Sequence, residues 1–243
     1  MLKEAIDRIL DLARPDTIDA HGILYATLKD KHPSPLYPPV PAALNFKTLT
    51  GLKDYILSEL DDGLVPPSTG KLALTVVGET RVDLITSMSL DGYYQRWMYA
   101  TAVIEAAAFP FGTFLSQEDF VIKLQSQFVP GDDLAGLLRT AGSITGESVQ
   151  VSADDGVSQS ASARRGIVLK ERIDLPNPVT LRPYRTFREV DQPASKFVLR
   201  VKEGSGGAGL ALFEADGGVW KLEAVQGIKM WLKERLPEML ILA

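Results

Sequence analysis

Lys71-Leu72-Ala73-Leu74-Thr75-Val76-Val77-Gly78-Glu79-Thr80-Arg81-Val82-Asp83-Leu84-Ile85-Thr86-Ser87-Met88 is the stretch that decides the fold. Leu72, Leu74 and Val76 alternate with polar or small residues, and Val82, Leu84, Thr86 and Met88 repeat the pattern. A period of two places alternate side chains on one face of a strand. Asp91-Gly92 is a turn signal, and Tyr93 to Ile104 reads as a longer strand. Together these runs predict an antiparallel meander.

Helical periods flank it. Upstream, residues 48–61 carry Leu49, Leu52, Tyr55, Ile56, Leu57 and Leu60 as an apolar stripe, stopped by Asp61-Asp62-Gly63 and Pro66-Pro67. Downstream, Ser116-Gln117-Glu118-Asp119 has the cap and acidic first turn of a helix start. Phe120, Val121, Leu124 and Phe128 then share a face, and Pro130-Gly131 closes that helix. Asp132 to Ala141 is a further short helix, with Gly142 past its end.

The second half reads mostly as strand, over 147–153, 159–169, 179–181, 196–202, 210–214 and 219–223, with a helix over 225–236. Asp154-Asp155-Gly156 and Asp216-Gly217-Gly218 are hairpin turn signals, because Gly and Asp tolerate positive φ. Gly204-Ser205-Gly206-Gly207 joins strand to strand, with Gly209 beyond it, and lacks the Gly-Lys-Ser/Thr of a phosphate loop. Strand runs with helices between them, and no βαβ alternation, predict an α+β fold. A mainly antiparallel twisted sheet would carry several packed helices.

The N-terminal segment reads differently. Residues 2–13 form an amphipathic helix ended by Arg14-Pro15, and 19–31 is a weaker helical segment. His32 to Val40 then Pro41 holds five prolines in ten residues, which favours an extended strip. Residues 1–45 are therefore expected to be a helix and proline-rich arm, preceding an α+β domain over 46–243.

The chain has 243 residues, 26 Lys and Arg, 31 Asp and Glu, and a net charge of −5. It holds no Cys, which excludes disulfides, thiolate catalysis, Fe–S clusters and the usual structural zinc sites. No run of about 18 apolar residues suggests a membrane span. The acidic residues in Met1-Leu2-Lys3-Glu4-Ala5-Ile6-Asp7 do not read as a signal peptide. No catalytic or metal-ligating set and no cofactor motif stands out. His21 and His32 have no partner at triad or metal spacing, and Asp61-Asp62, Asp132-Asp133 and Asp154-Asp155 adjoin Gly as turns and caps do. Glu214, Asp216 and Glu223 with Lys221 give a loose echo of a metal-dependent nuclease or phosphatase.

The charge is uneven. Residues 159–202 carry ten Lys and Arg against four Asp and Glu, a net of +6, while the remainder carries 16 against 27, a net of −11. The candidate site lies in this segment: Arg164, Arg165, Arg182, Tyr184, Arg185, Phe187, Arg188 and Arg200. Guanidinium groups grip phosphates bidentately, and interleaved aromatics stack bases. Along 196–202, Val198, Arg200 and Lys202 share one strand face and Phe197, Leu199 and Val201 the other. The alternatives are a solvated outer face, or a surface that pairs with the acidic part of another subunit.

Four stretches carry a family resemblance. They are Phe120-Val121-Ile122-Lys123-Leu124-Gln125-Ser126, Asp154-Asp155-Gly156-Val157-Ser158-Gln159, Pro176-Asn177-Pro178-Val179 with the run Pro183 to Pro193, and Ala211-Leu212-Phe213-Glu214-Ala215-Asp216-Gly217-Gly218. Across residues 45–236 the chain resembles an uncharacterised early-protein family of tailed bacteriophages and prophages, and its order of elements is similar to the YfdQ-like prophage family. The resemblance implies genes near recombination and replication functions, and no reaction or catalytic residue. The expectation is a non-enzymatic phage early protein in the host cytoplasm, self-assembling into a homo-oligomer. It would act in DNA transactions or against host defence by contacting nucleic acid, a nucleotide or a host protein, with no membrane partner. A structural virion component is the remaining alternative.

Overall fold

A computed structural model describes residues 2–13, 16–20, 23–27, 34–35, 42–58, 60, 71–88, 96–106, 108–144, 149–154, 159–165, 168–174, 177–204 and 207–243. In chain order the first elements are α1 (Leu2–Ala13), β1 (Asp16–Ala20), β2 (Ile23–Thr27), β3 (Ser34–Pro35), β4 (Leu44–Phe46), α2 (Leu49–Leu57), β5 (Leu72–Gly78), β6 (Arg81–Thr86) and β7 (Met98–Val103). There follow α3 (Gln117–Gln127), α4 (Asp132–Ser143), β8 (Val149–Asp154), β9 (Gln159–Arg165), β10 (Val168–Asp174), β11 (Val179–Leu181), β12 (Ser195–Gly204), β13 (Gly207–Glu214), α5 (Trp220–Arg235) and β14 (Leu240–Leu242). The fold is α+β with mainly antiparallel sheet.

The period-two run forms the centre of a sheet ordered β14-β5-β6-β7-β4. Val76 lies opposite Val82, and Leu74 opposite Leu84, which lies opposite Ala100. These residues share the face that α2 and α5 cover, through Leu49, Leu52 and Tyr55 and through Ile228, Leu232 and Leu236. The buried residues of α5, Trp220, Ala224, Ile228 and Leu232, recur every four positions.

A second core forms on the sheet β11-β12-β13. Phe197, Leu199 and Val201 point one way from β12, as their alternation requires, and meet Phe120, Leu124, Leu134 and Leu137 from α3 and α4. Phe111 stacks on Phe197 with centroids 5.0 Å apart, and Phe109 meets Phe128 edge to face at 5.2 Å. Ser116 caps α3 by accepting from the Asp119 amide at 3.1 Å. Asp133, in the first turn of α4, accepts from the Thr180 amide at 2.9 Å and ties that helix to β11. The side chain of Asn177 bonds both backbone groups of Leu199, at 2.7 and 3.1 Å, two positions beyond the Val179–Phe197 pair of β11 and β12.

Several elements differ from the sequence expectation. Part of 19–31 is strand, not helix: β1 and β2 pair as a hairpin, with Ala20 opposite Ile23. β-Branched and aromatic residues (Thr17, Ile18, Ile23, Tyr25, Thr27) explain the preference. The strand expected over 159–169 divides into β9 and β10, paired antiparallel with Arg165 opposite Val168. Residues 220–223 begin α5 instead of forming a strand. Gly217 and Gly218 have φ of 64° and 82°, so Asp-Gly-Gly turns the chain into a helix, not into a hairpin. Helix α4 continues through Gly142 to Ser143. Strand β14 was not expected; it and β4 pair parallel with β5 and β7 at the two edges of the five-stranded sheet. β4 also spans the expected boundary at 45/46. His21, His32, Asp61-Asp62, Asp91-Gly92 and most of the proline-rich strip lie outside the described residues.

The second core sets a stability expectation. Phe120→Ala should cost about 3–5 kcal/mol in urea unfolding. Ile122→Ala, two residues along on the exposed side of α3, should stay within about 0.5 kcal/mol of the parent.

Candidate functional site

The connection from β11 to β12 runs between the two cores and is tied to both. On one side, the Val129 amide donates to the Arg182 carbonyl and the Tyr184 amide to the Gln127 carbonyl, each at 2.9 Å. On the other, the Thr186 hydroxyl donates to the Glu79 carbonyl at 2.5 Å, beside the β5–β6 turn. The Thr50 amide, in the first turn of α2, donates to Glu189 Oε1 at 3.2 Å.

Gln192 gives this connection its shape. Its Oε1 accepts from the amides of Arg185 and Thr186 at 2.9 and 3.2 Å. Its Nε2 faces the carbonyls of Phe187 and Val190 at 3.0 and 3.3 Å. The Arg185 and Thr186 amides are buried, and without Gln192 each would be a costly orphan.

The connection sorts the candidate side chains. Arg185 turns inward, where Nη1 donates to Glu214 Oε1 at 2.7 Å and Nη2 donates to Ser195 Oγ. Its guanidinium carbon lies 3.8 Å from the centre of the Trp220 ring. Phe187 is fully buried in the first core. Neither residue is placed to meet a ligand. Burial pushes the Arg185 guanidinium down, against the charges of Glu214 and Asp216. Partial burial acts to raise the Asp216 carboxyl, but hydrogen bonds from Ser195 and the Gly218 amide, with the charge of Arg185, hold it below its ordinary value.

Arg188 and Tyr184 face outward together. The Arg188 guanidinium carbon sits 3.4 Å from the centre of the Tyr184 ring, at stacking distance. They line a cleft of about 270 Å³ with Lys47, Ser126, Gln127 and Thr186. Glu105 and Glu189 add acceptors to its wall. Lys47 approaches Glu105 at 3.6 Å, but its side chain is 74% exposed, so this contact holds it weakly. The Gln127 side-chain oxygen is buried and finds no hydrogen-bond partner among the described residues. Such a group costs about 1–3 kcal/mol. Lys47 and Gln127 lie far from the basic stretch in sequence, so charge counting could not find them.

The remaining basic residues lie elsewhere. Arg182 is exposed beside a concavity of about 310 Å³ that includes Asp132, Asp133 and Thr180. Arg200 is on the same face of β12 as Lys196 and Lys202 and is half-buried, and Lys202 Nζ lies 4.2 Å from the centre of the Phe114 ring. Arg164 and Arg165 end β9, opposite Leu169 and Val168. Their sheet, ordered β10-β9-β8, approaches β12 through β8.

The carboxylates weighed for metal chemistry are dispersed. Glu214 pairs with Arg185, Asp216 Oδ1 accepts from the Gly218 amide at 3.0 Å, and Glu223 is exposed on α5. Among the described residues no three His, Cys, Asp or Glu come together to hold a metal. Among the same residues no helix is long and apolar enough to cross a membrane.

No family model, curated protein or solved structure matches the chain. Two expectations follow from the geometry. Gln192→Leu should lower stability by about 2–5 kcal/mol, since it orphans several buried groups at about 1–3 kcal/mol each; urea unfolding measures this. The Asp216 contribution to stability is complete above its unfolded value near 3.8 and is lost as pH falls through the lower folded value. Asp216→Asn should therefore flatten the acid limb of the stability–pH profile.

Proposed function

We propose that this chain is a non-enzymatic phage early protein that binds nucleic acid or nucleotide phosphate and works in DNA transactions. The observation that carries the reading is the cleft, where Arg188, fixed on Tyr184, meets Lys47 from the distant N-terminal side of α2. Two cations at one concave site, one of them braced on an aromatic ring, offer a phosphate more than a lone surface charge does, against the carboxylates of Glu105 and Glu189 in the same wall. The net charge of −5 supports local capture over broad coating of a duplex. The phage setting rests on the family resemblance alone. Self-assembly would place several such clefts on one particle and raise avidity for a long strand.

Fluorescence anisotropy with a labelled single-stranded oligonucleotide, repeated over a salt series, tests this. Binding should weaken as salt rises. Lys47→Glu with Arg188→Glu should cut affinity at least tenfold and lower the salt slope by about two, one for each phosphate contact. Arg185→Met should unfold the protein more readily without being the main determinant of binding. Absence of binding at low salt, or affinity indifferent to the double reversal, would overturn the reading.

A further inference from the structure

Resting on the nucleic-acid reading but not on the cleft, we propose that the outward face of the β11-β12-β13 sheet is a second contact for single-stranded nucleic acid, with Phe213 as the platform for a base and Lys196 and Lys202 as phosphate partners. Helices α3 and α4 cover one face of this sheet, packing on Phe197, Leu199 and Val201. The alternation along β12 therefore sends Lys196, Val198, Arg200 and Lys202 to the other face. The antiparallel register adds Phe213 beside Val198 and Gly209 beside Lys202. Residues 112–115 widen the sheet at the β13 edge. The Gly112 amide donates to the Leu212 carbonyl at 2.8 Å, and Leu115 and Leu210 exchange both backbone bonds at 2.9 and 3.0 Å. Leu115 packs against the core, so Phe114 turns outward with Phe213.

This face joins the chemistry of bases to that of phosphates. Phe213 is 38% exposed, and its ring meets Phe114 edge to face with centroids 6.2 Å apart. Lys202 Nζ, 4.2 Å from the centre of the Phe114 ring, is held beside the platform. Gly209 stands between the two. A Cβ there would lie 3.5 Å from both Lys202 Cγ and Phe114 Cβ, so a longer side chain would part them. Lys196 is exposed near the start of the same strand, about 20 Å from Lys202 along β12, and Val198 and Arg200 between them are half-buried. A compact anion cannot reach both lysines. An extended single strand reaches both and brings flat apolar faces for Phe213. A duplex keeps its bases stacked inside and meets the lysines alone. Among the described residues, none that alternates onto this face is a carboxylate. Asp132 and Asp133 lie beyond β11 with Arg182, at the edge opposite Phe114.

A single-stranded oligonucleotide bearing iodouracil, crosslinked by ultraviolet light to the full chain and mapped by peptide mass spectrometry, tests this directly. A crosslink at Phe213 is expected. In anisotropy, Phe213→Leu should weaken single-strand binding by about fivefold or more and leave the salt slope and duplex binding unchanged, because stacking releases no counterion. Phe213→Tyr keeps the ring and should retain the parent affinity. Lys196→Gln with Lys202→Gln should lower the salt slope by about two. Thermal unfolding establishes that the variants fold, and the crosslink, read on the unaltered chain, carries the test if the Leu variant does not. Crosslinks confined to the cleft, or single-strand affinity unchanged in Phe213→Leu, would overturn the platform and leave the cleft standing. Loss of oligomer mass in the lysine-pair variant, with strand affinity unchanged, would assign the face to an acidic protein surface such as a second copy and overturn the platform too. Strand binding lost in Phe213→Leu but indifferent to Lys47→Glu with Arg188→Glu would support the platform and remove the cleft. No binding to any strand would remove both.

Discussion

From Arg185 to Val190 the connection pairs with no strand among the described residues, and Gln192 supplies what a strand would have supplied. One carboxamide accepts from two consecutive amides and donates to carbonyls on the far side of the same loop. A Glu there could accept but not donate, and a Leu could do neither. Because Gln192 fixes the backbone at Arg185 and Thr186, it also fixes which following side chains enter the protein and which leave it. Phe187 goes to the first core and Arg188 to the cleft.

The inward turn of Arg185 is tolerable because its charge is met in three ways. Glu214 and Ser195 take the guanidinium edges, and Trp220 covers a face. Glu214 is 41% exposed, so water shares that ion pair and its Coulomb gain is modest. The packing against Trp220 is the firmer part. Trp220 begins α5, whose later turns enter the first core, and Arg185 lies 5.9 Å from the ring centre of Phe197, a residue of the second. The arginine therefore joins the two cores. The positive φ of Gly217 and Gly218 gives α5 the starting direction that brings Trp220 there.

The regular elements were legible because their periods are physical. The alternation at Leu74, Val76, Val82 and Leu84 fits a strand and no helix. Ser116 with Glu118 and Asp119 marked a helix start that the structure keeps. What failed were places where one local signal serves two structures. Asp-Gly-Gly suits a hairpin or a helix entry, and the choice was made by the four-residue recurrence that begins at Trp220. β14 is three residues long, too short for a period, and its place depends on β5, 167 positions earlier in register. The cleft was legible in part: Tyr184 and Arg188 line it, whereas Arg185 and Phe187 are buried. An irregular connection follows neither helical nor strand period, so inward and outward positions within it cannot be read from spacing.

The same connection changes what the basic segment means. A count of +6 over 159–202 suggests a continuous positive surface. In the fold, Arg185 turns its charge inside, Arg182 lies beside Asp132 and Asp133, and Arg200 is half-buried on β12. Lys47, from outside the segment, is the residue that joins Arg188. Over distances greater than the ~8–10 Å screening length, the acidic remainder of the protein and the dispersed arginines largely cease to matter to that cleft. A ligand held there would feel two nearby cations and a wall of neutral and acidic acceptors. Two cations give modest attraction and almost no discrimination, since every nucleotide carries the same phosphate. Selectivity at such a site has to come from the wall, where Glu105 and Glu189 oppose the two cations and penalise a ligand that brings only negative charge.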